Sequence, residues 1–153
     1  MTIQFSAFDI TLPQNAQQVK ALQQASYPLE AKLLGLDSIP PMHDTEESLI
    51  ACGEQFIGCF EGERLVGAVS YKLEANTLDI HRMMVHPERM RRGIAQSLIQ
   101  EALSTPGAAQ AIIATGTANT PAVRLYEKNG FTETERVAIA PGVTITRFEK
   151  ALN

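Results

Sequence analysis

A continuous stretch of the chain, residues 77–102, constrains the fold more strongly than any other part of the sequence. Its beginning, residues 77–85, is mostly apolar or branched and contains neither Gly nor Pro, a composition that predicts a β-strand. After Gly93, apolar residues recur at the spacing of an amphipathic helix. They are Ile94, Ala95, Leu98, Ile99, Ala102 and Leu103. The stretch therefore predicts a strand, then a short arginine-containing loop, then a helix.

The loop before this helix is predicted to bind an anion. The first turn of a helix leaves about four backbone N–H groups without partners and carries a partial positive charge. Gly93 and Ala95 leave these groups accessible, and Arg91 and Arg92 add two charged donors that suit a pyrophosphate. Arginine-rich turns are also common as solvated surface, so the assignment depends on the wider pattern. No Gly-Lys-Ser/Thr or Gly-x-Gly-x-x-Gly run is present, which argues against a nucleotide triphosphatase and a dinucleotide dehydrogenase.

The same stretch resembles the acyl-CoA signature of the GNAT superfamily of N-acyltransferases, Gln/Arg-x-x-Gly-x-Gly/Ala after a strand that ends in Val-His-Pro. Here the signature reads Met90-Arg91-Arg92-Gly93-Ile94-Ala95 and follows Val85-His86-Pro87. Met90 departs from the usual Gln or Arg, which affects one side-chain contact and leaves the backbone donors in place. The resemblance implies that the turn from Met90 through Gln96 holds the pyrophosphate of acyl-CoA.

A second segment, residues 119–131, resembles the other GNAT hallmark, Asn-x-x-Ala-x-x-Leu-Tyr-x-Lys-x-Gly-Phe. Asn119 is expected to cap a helix and to contact the pantetheine arm, and Gly130 to end that helix. A packed helix explains much of the segment, but a buried Tyr126 needs a polar partner. The resemblance implies that Tyr126 lines the acyl-CoA site and protonates the departing thiolate. Two motifs in the family's order are more specific than either one alone.

The resemblance also implies the fold class and a mode of cofactor binding. The expected fold is α/β, with a GNAT-like mixed, largely antiparallel sheet that is splayed at its central strands and flanked by about four helices. Backbone groups of Met83, Met84 and Val85 would pair with pantetheine at the exposed strand edge, as peptides do when they add to a sheet. The N–H of Val85 is the expected donor to the oxyanion that forms during attack on the thioester.

The residue that deprotonates the acceptor is left open by the sequence. A primary ammonium group with a pKa near ~10 must lose a proton before it attacks. Asp79 lies six residues before Val85, where a family carboxylate or histidine often sits, and His81 follows on the same strand face. Either side chain could relay the proton through water, and an ordinary exposed strand residue is the alternative for both.

The remaining elements are predicted from periodicity and from turn residues. A strand containing Ile3, Phe5 and Phe8 is expected first, followed by a helix from Pro13 to about Ser26. Residues 27–42 lack a clear period and contain three prolines, so they are predicted to form an irregular loop that meets the acceptor. A short capped helix, a hairpin, the central strand and helix, a buried strand, the second-motif helix and a closing hairpin complete the chain.

Composition limits the classes of function. A chain of 153 residues with 44% hydrophobic residues predicts one domain, residues 1–153. Thirteen basic and seventeen acidic residues give a net charge of −4, which argues against a nucleic-acid partner. Cys52 and Cys59 lack the spacing of a zinc site or a disulfide framework, so reduced thiols and no metal are expected. Neither a signal peptide nor a membrane span is recognised, so a cytoplasmic protein without a membrane partner is expected.

These observations predict an N-acetyltransferase that moves an acetyl group from acetyl-CoA to a primary amine by direct attack. Acetyl-CoA is the expected co-substrate, and a small-molecule or peptide amine is the expected acceptor. The alternative function is a GNAT-like acyl-CoA-binding module that has lost its chemistry and regulates a partner. The presence of both Tyr126 and Asp79 favours the enzyme. The oligomeric state is left open, with a homodimer among the alternatives.

Overall fold

The computed structural model of the protein describes residues 2–152. Within these residues, seven strands form one sheet in the order β1-β2-β3-β4-β5-β7-β6. The strands are β1 (Ile3–Phe8), β2 (Gln55–Glu61), β3 (Arg64–Glu74), β4 (Thr77–Val85), β5 (Gln110–Gly116), β6 (Thr132–Ala140) and β7 (Val143–Ala151). The helices of the same part of the chain are α1 (Pro13–Leu33), α2 (Glu46–Ile50), α3 (Ile94–Leu103) and α4 (Thr120–Lys128), with short 3-10 turns at Pro40–His43 and Pro87–Arg89.

The sheet parts between its two central strands. Among the strand pairs of the described residues, β4 and β5 run parallel and the others antiparallel, because α3 carries the chain back across the sheet. The parallel pairing joins Thr77–Asp79 to Gln110–Ile112 and goes no further. Beyond Asp79 the two strands separate into an opening that we call the splay. The predicted mixed, largely antiparallel and splayed sheet with about four helices is therefore confirmed.

The helices cover opposite faces of the sheet. One face, which we call the α1 face, buries Val19 and Leu22 of α1 and Leu49 of α2 against the sheet. The other, the α3 face, buries Leu98 of α3 and Tyr126 of α4 in a separate core. A ligand in the splay can therefore be reached from either side of the sheet.

A β-bulge changes which way the side chains of β4 point. Ser70 pairs with Arg82, whereas the next residue of β3 pairs with Ile80, so His81 is the extra residue. Before the bulge, Ile80 faces the α3 core; after it, Met84 faces the α1 core. The bulge therefore turns the backbone of β4 at the point where β5 leaves it.

The long first helix corrects one prediction. The helix predicted to end near Ser26 continues to Leu33, so residues 27–33 are helical and do not belong to an irregular loop. Pro28 has no N–H to donate to the carbonyl of Gln24, four residues earlier. Gln24 is exposed, so its carbonyl can bond water instead. Burial of Tyr27 and Ala31 on the same face stabilises the extra turns and outweighs the missing bond.

The two cysteines and the hydropathy of the helices bear on expectations drawn from composition. Cys59 is buried and Cys52 half-buried, neither is in a disulfide, and burial raises the pKa of both thiols. Within residues 2–152, no helix combines the length and the hydropathy that a membrane span needs. The domain extent of residues 1–153, the cytoplasmic location and the oligomeric state stay predictions, and residues 1 and 153 lie outside the described part.

Candidate active site

The free edge of β4 supplies backbone donors to the splay. The N–H of His86 donates to the carbonyl of Val66 on β3 over 2.8 Å. Because successive residues of a strand direct their backbone groups to opposite sides, the N–H groups of Val85 and Met83 point away from β3. Met84 directs its backbone toward β3 and buries its side chain in the α1 core. Of the three residues predicted to pair with pantetheine, Met83 and Val85 thus face the splay.

The start of α3 is open and lacks a side-chain cap. Gly93 precedes the helix with a left-handed φ of 78°, and a Cβ added there would meet no atom within 4 Å. The N–H groups of the first turn, at Ile94, Ala95 and Gln96, are therefore accessible to a ligand. This arrangement fits a phosphate group approaching from solvent on the α3 face.

The arginines beside this helix start differ in their partners. Arg91 and Arg92 are exposed at the turn, as is Met90. Arg89 instead forms a bidentate pair with Glu61, with both N···O distances at 2.8 Å. Arg91 and Arg92 are thus the guanidinium groups placed for an anionic ligand.

Gln96 links the two predicted motifs to each other. Its side-chain amide exchanges hydrogen bonds with that of Asn129 at the end of α4, over 3.0 and 2.9 Å. These bonds hold α3 and α4 side by side on the α3 face. The backbone N–H of Gln96, rather than its side chain, is therefore the group left for a ligand.

Tyr126 lies in the α3 core next to the splay. The residue is 4% exposed, and its ring packs against Phe131 and Phe148 with centroid distances of 6.0 and 5.9 Å. Burial raises the pKa of the phenol well above its ordinary value, and the nearby charge of Glu30 raises it further. The hydroxyl therefore carries its proton at neutral pH, which is the state that a general acid requires.

Asn119 caps α4 and also reaches across to α1. Its side-chain oxygen accepts from the N–H of Ala122 over 3.4 Å, as the motif predicted. Its amide nitrogen donates to Oε1 of Glu30 over 2.8 Å and approaches Thr115 at 3.5 Å. The side chain predicted to touch pantetheine is therefore held by a carboxyl group.

Glu30, which accepts the hydrogen bond from Asn119, was not among the residues predicted from the sequence. It was placed in a predicted loop, although Tyr27, Glu30, Ala31 and Leu34 follow the spacing of one helix face. That spacing is the signal that could have placed Glu30 beside Tyr27. Burial raises the pKa of the Glu30 carboxyl, and the hydrogen bond from Asn119 partly opposes the rise.

Asp79 and His81 lie together where the splay begins. Nε2 of His81 is 3.2 Å from Oδ2 of Asp79, and its Nδ1 is 3.7 Å from Oε2 of Glu54. About a third of each side chain is exposed, at 39% for Asp79 and 33% for His81. The structure therefore brings the two predicted base candidates into contact, with a path to solvent.

Arg82 is the centre of a largely buried polar network on the α1 face. It donates to Glu54 over 2.9 Å, to Asp44 over 2.6 Å and to Gln23 over 2.9 Å. Burial alone would raise the pKa of Glu54, but hydrogen bonds from Arg82 and Ser70 hold it below its ordinary value. The network fixes α1 and the segment before α2 against β4.

A groove on the α1 face continues from the base candidates across the sheet. It has a volume of about 500 Å³ and lies over β5, β7 and β6. Its lining includes Asp79, His81, Ile112, Ala114, Arg147 and Glu149. A molecule in this groove would reach the splay from the side opposite α3.

Comparisons with known proteins agree with this architecture. The sequence model of a family described as the acetyltransferase (GNAT) family matches residues 16–131. A Bacillus subtilis (strain 168) protein named UPF0157 protein YqkA is 34% identical over 134 residues, which are 87% of this chain. The chain spans 39% of the length of that relative.

Two solved structures illustrate the similarity of fold. The PaiA N-acetyltransferase of Thermoplasma acidophilum, solved in complex with coenzyme A, has a TM-score of 0.79 at 18% identity, covering 99% of both chains. The ribosomal-protein-S18-alanine N-acetyltransferase of Escherichia coli has a TM-score of 0.80 at 12% identity, covering 99% of this chain and 95% of its own. Together with the family match over well over half of its length, these findings show that the chain belongs to the GNAT family of acetyltransferases.

Proposed function

We propose that the protein transfers an acetyl group from acetyl-CoA to a primary amine, which attacks the thioester directly. The observation that carries the proposal is the separation of β4 and β5 after Asp79. The opening lies between an anion-binding helix start on the α3 face and a histidine–carboxylate pair on the α1 face. One substrate can therefore enter from each side and meet the other in the splay.

Acetyl-CoA supplies the activated acetyl group in this proposal, and residues of the α3 face would hold it. Arg91, Arg92 and the first-turn N–H groups of α3 bind the pyrophosphate. The backbone of Met83 pairs with the pantetheine arm, and the N–H of Val85 donates to the thioester oxygen. The Thermoplasma acidophilum neighbour, which shares the fold, was solved in complex with coenzyme A, and this supports coenzyme A as the ligand.

Proton transfer is assigned to two places. The pair of Asp79 and His81 removes the proton from the acceptor ammonium group, directly or through water, because it is exposed and lies where the strands part. Tyr126 returns a proton to the leaving thiolate, because its phenol lies next to the splay and is protonated at neutral pH. The N–H of Val85 stabilises the negative charge that develops on the thioester oxygen between these two transfers.

The acceptor is assigned to the groove on the α1 face. The groove begins at Asp79 and His81 and is wide enough for a small molecule or an extended peptide end. The name of the Escherichia coli neighbour gives a protein alanine as its acceptor, which supports the inclusion of peptides among the candidates.

An acceptor screen tests the proposed function. The protein is incubated with labelled acetyl-CoA and with small primary amines, peptides and protein N-termini, and the labelled product is measured by mass spectrometry. We expect amide formation with at least one class. Binding of acetyl-CoA without transfer to any acceptor would contradict the enzyme and identify the regulatory module instead.

Replacing the base candidates is expected to change the pH dependence of turnover. Asp79→Asn should slow acetyl transfer most at neutral pH and recover toward pH ~10, where the amine loses its proton without help. His81→Gln should behave in the same way if His81 accepts the proton. Because the two side chains act as one unit, the double variant should be no slower than the slower single variant.

The measurement is the pH–rate profile of each variant divided by that of the wild type. Asp9→Asn is the matched control, because Asp9 is exposed and follows β1, which lies three strands away from β4 in the sheet. A ratio that stays constant across pH for both Asp79→Asn and His81→Gln would exclude the pair as the base.

A further inference from the structure

A hydrogen bond joins α1 to the start of α4, although these helices pack on opposite faces of the sheet. The two helices pack on opposite faces, so an unbroken sheet would keep their side chains apart. Glu30 of α1 nevertheless accepts a hydrogen bond from Asn119, which caps α4, over 2.8 Å. Asn119 follows β5 by three residues, at the end of that strand where β4 and β5 are no longer paired. Glu30 therefore lies at the open end of the splay.

The surroundings of Glu30 are those of a binding pocket rather than of a helix surface. Tyr27 and Tyr126 are 5% and 4% exposed, and burial raises the pKa of both phenols. The charge of Glu30 raises the pKa of both phenols further. Leu34, the residue that follows α1, packs against Gly116 of β5 and leaves no room for a Cβ there. The end of α1 thus closes the splay on the acceptor side.

The Glu30 carboxyl has one oxygen engaged and one available. Oε1 accepts the bond from Asn119, whose amide is in turn fixed by its own N-cap bond to Ala122. This support orients the carboxyl and leaves Oε2 for a ligand. Asn119 is 9% exposed, so the support is shielded from water.

We propose that Glu30 binds the ammonium group of the acceptor and makes the site selective for cationic amines. This inference rests on the proposed function, because it concerns the second substrate of the same site. Acetyl-CoA enters from the α3 face, so the acceptor approaches from the α1 face and passes the end of α1. A half-buried carboxylate binds an ammonium group strongly and disfavours neutral or anionic molecules. Asn119 acts as the positioning residue that holds Glu30.

Glu30→Gln tests this role because it removes the charge while keeping the shape and an oxygen that can accept from Asn119. We expect the KM for a primary amine to rise by ~10- to 100-fold, the range for loss of one charge-assisted hydrogen bond. Because Glu30 is not assigned a proton transfer, kcat should change by less than about threefold. The thermal stabilisation given by acetyl-CoA should be unchanged.

Two further variants complete the experiment. Glu127→Gln is the matched control, because Glu127 is an exposed glutamate of α4, and it should leave KM at the wild-type value. Glu30→Asp keeps the charge but withdraws the carboxyl by one methylene, and it should raise KM by a smaller factor than Glu30→Gln. Melting curves of each variant establish that it is folded before its kinetics are compared.

The outcomes separate this inference from the function on which it rests. A wild-type protein that acetylates no amine overturns both. An active wild type whose amine KM stays within twofold in Glu30→Gln overturns only the role of Glu30. A fall in kcat at unchanged KM also overturns it, because Glu30 would then act in the chemistry or in the fold.

Discussion

Tyr126→Phe is expected to lower turnover by ~10²–10⁴-fold while leaving the affinity for acetyl-CoA close to the wild-type value. The substitution removes the hydroxyl and keeps the ring, whose packing against Phe131 and Phe148 holds α4 in place. The proton donor to the leaving thiolate is thereby lost, whereas the groups assigned to the pyrophosphate and to pantetheine remain. The expected loss therefore lies in kcat.

The measurements are steady-state kinetics and the shift in melting temperature caused by acetyl-CoA. Tyr71→Phe serves as the control, because Tyr71 is a half-buried tyrosine of β3 that has no role in the proposed reaction. Turnover of Tyr126→Phe within a few-fold of the wild type would show that another group, or water, protonates the thiolate.

Gly93→Val is expected to abolish the thermal stabilisation that acetyl-CoA gives to the wild-type protein. A valine there would place its branched side chain over the first-turn N–H groups of α3 and block the approach of a phosphate. The left-handed φ of 78° adds strain of roughly 1–2 kcal/mol for an L-residue, but no neighbouring atom clashes with the new Cβ. The protein should therefore fold with a lower melting temperature and without a response to the ligand.

Gly142→Val is the control that separates the effect of backbone strain on stability from the effect of the new side chain on ligand binding. Gly142 has a φ of 75° and open space around its Cβ, but it lies in the turn between β6 and β7. The Gly142→Val variant should lose a similar amount of stability and should still be stabilised by acetyl-CoA. That stabilisation is about 2.7 kcal/mol when acetyl-CoA is present at about 100 times its Kd. Equal stabilisation of both variants by acetyl-CoA would contradict the assignment of the pyrophosphate to the start of α3.

Local sequence patterns predicted most of the elements that form the acyl-CoA side of the site. The central strand occupies residues 77–85 as expected, Gly93 precedes α3, and Asn119 caps α4. These features depend on hydrophobic period, on caps and on backbone conformations that involve only a few neighbouring residues. The two family motifs lie in the same regions, so the fold class followed from them.

The end of α1 shows where local patterns were insufficient. Pro28 and the lack of a clear apolar period predicted a loop, because a proline inside a helix removes a hydrogen bond. Tyr27 and Ala31 are nevertheless buried against the sheet, and this burial stabilises the helix beyond the proline. The sheet that covers them is formed by residues that come later in the chain.

The sequence by itself determined the strand–loop–helix unit, the second motif and the candidate residues Tyr126, Asp79 and His81. Only the tertiary structure decided what surrounds them: the bulge at His81, the network of Arg82 and the bond from Asn119 to Glu30, whose residues are 89 positions apart. Such contacts depend on strand register and helix packing, which join distant segments and leave no local pattern. For this reason the motif residues and the two base candidates could be predicted from the sequence, whereas the groups around Arg82 and Glu30 appeared only in the folded structure.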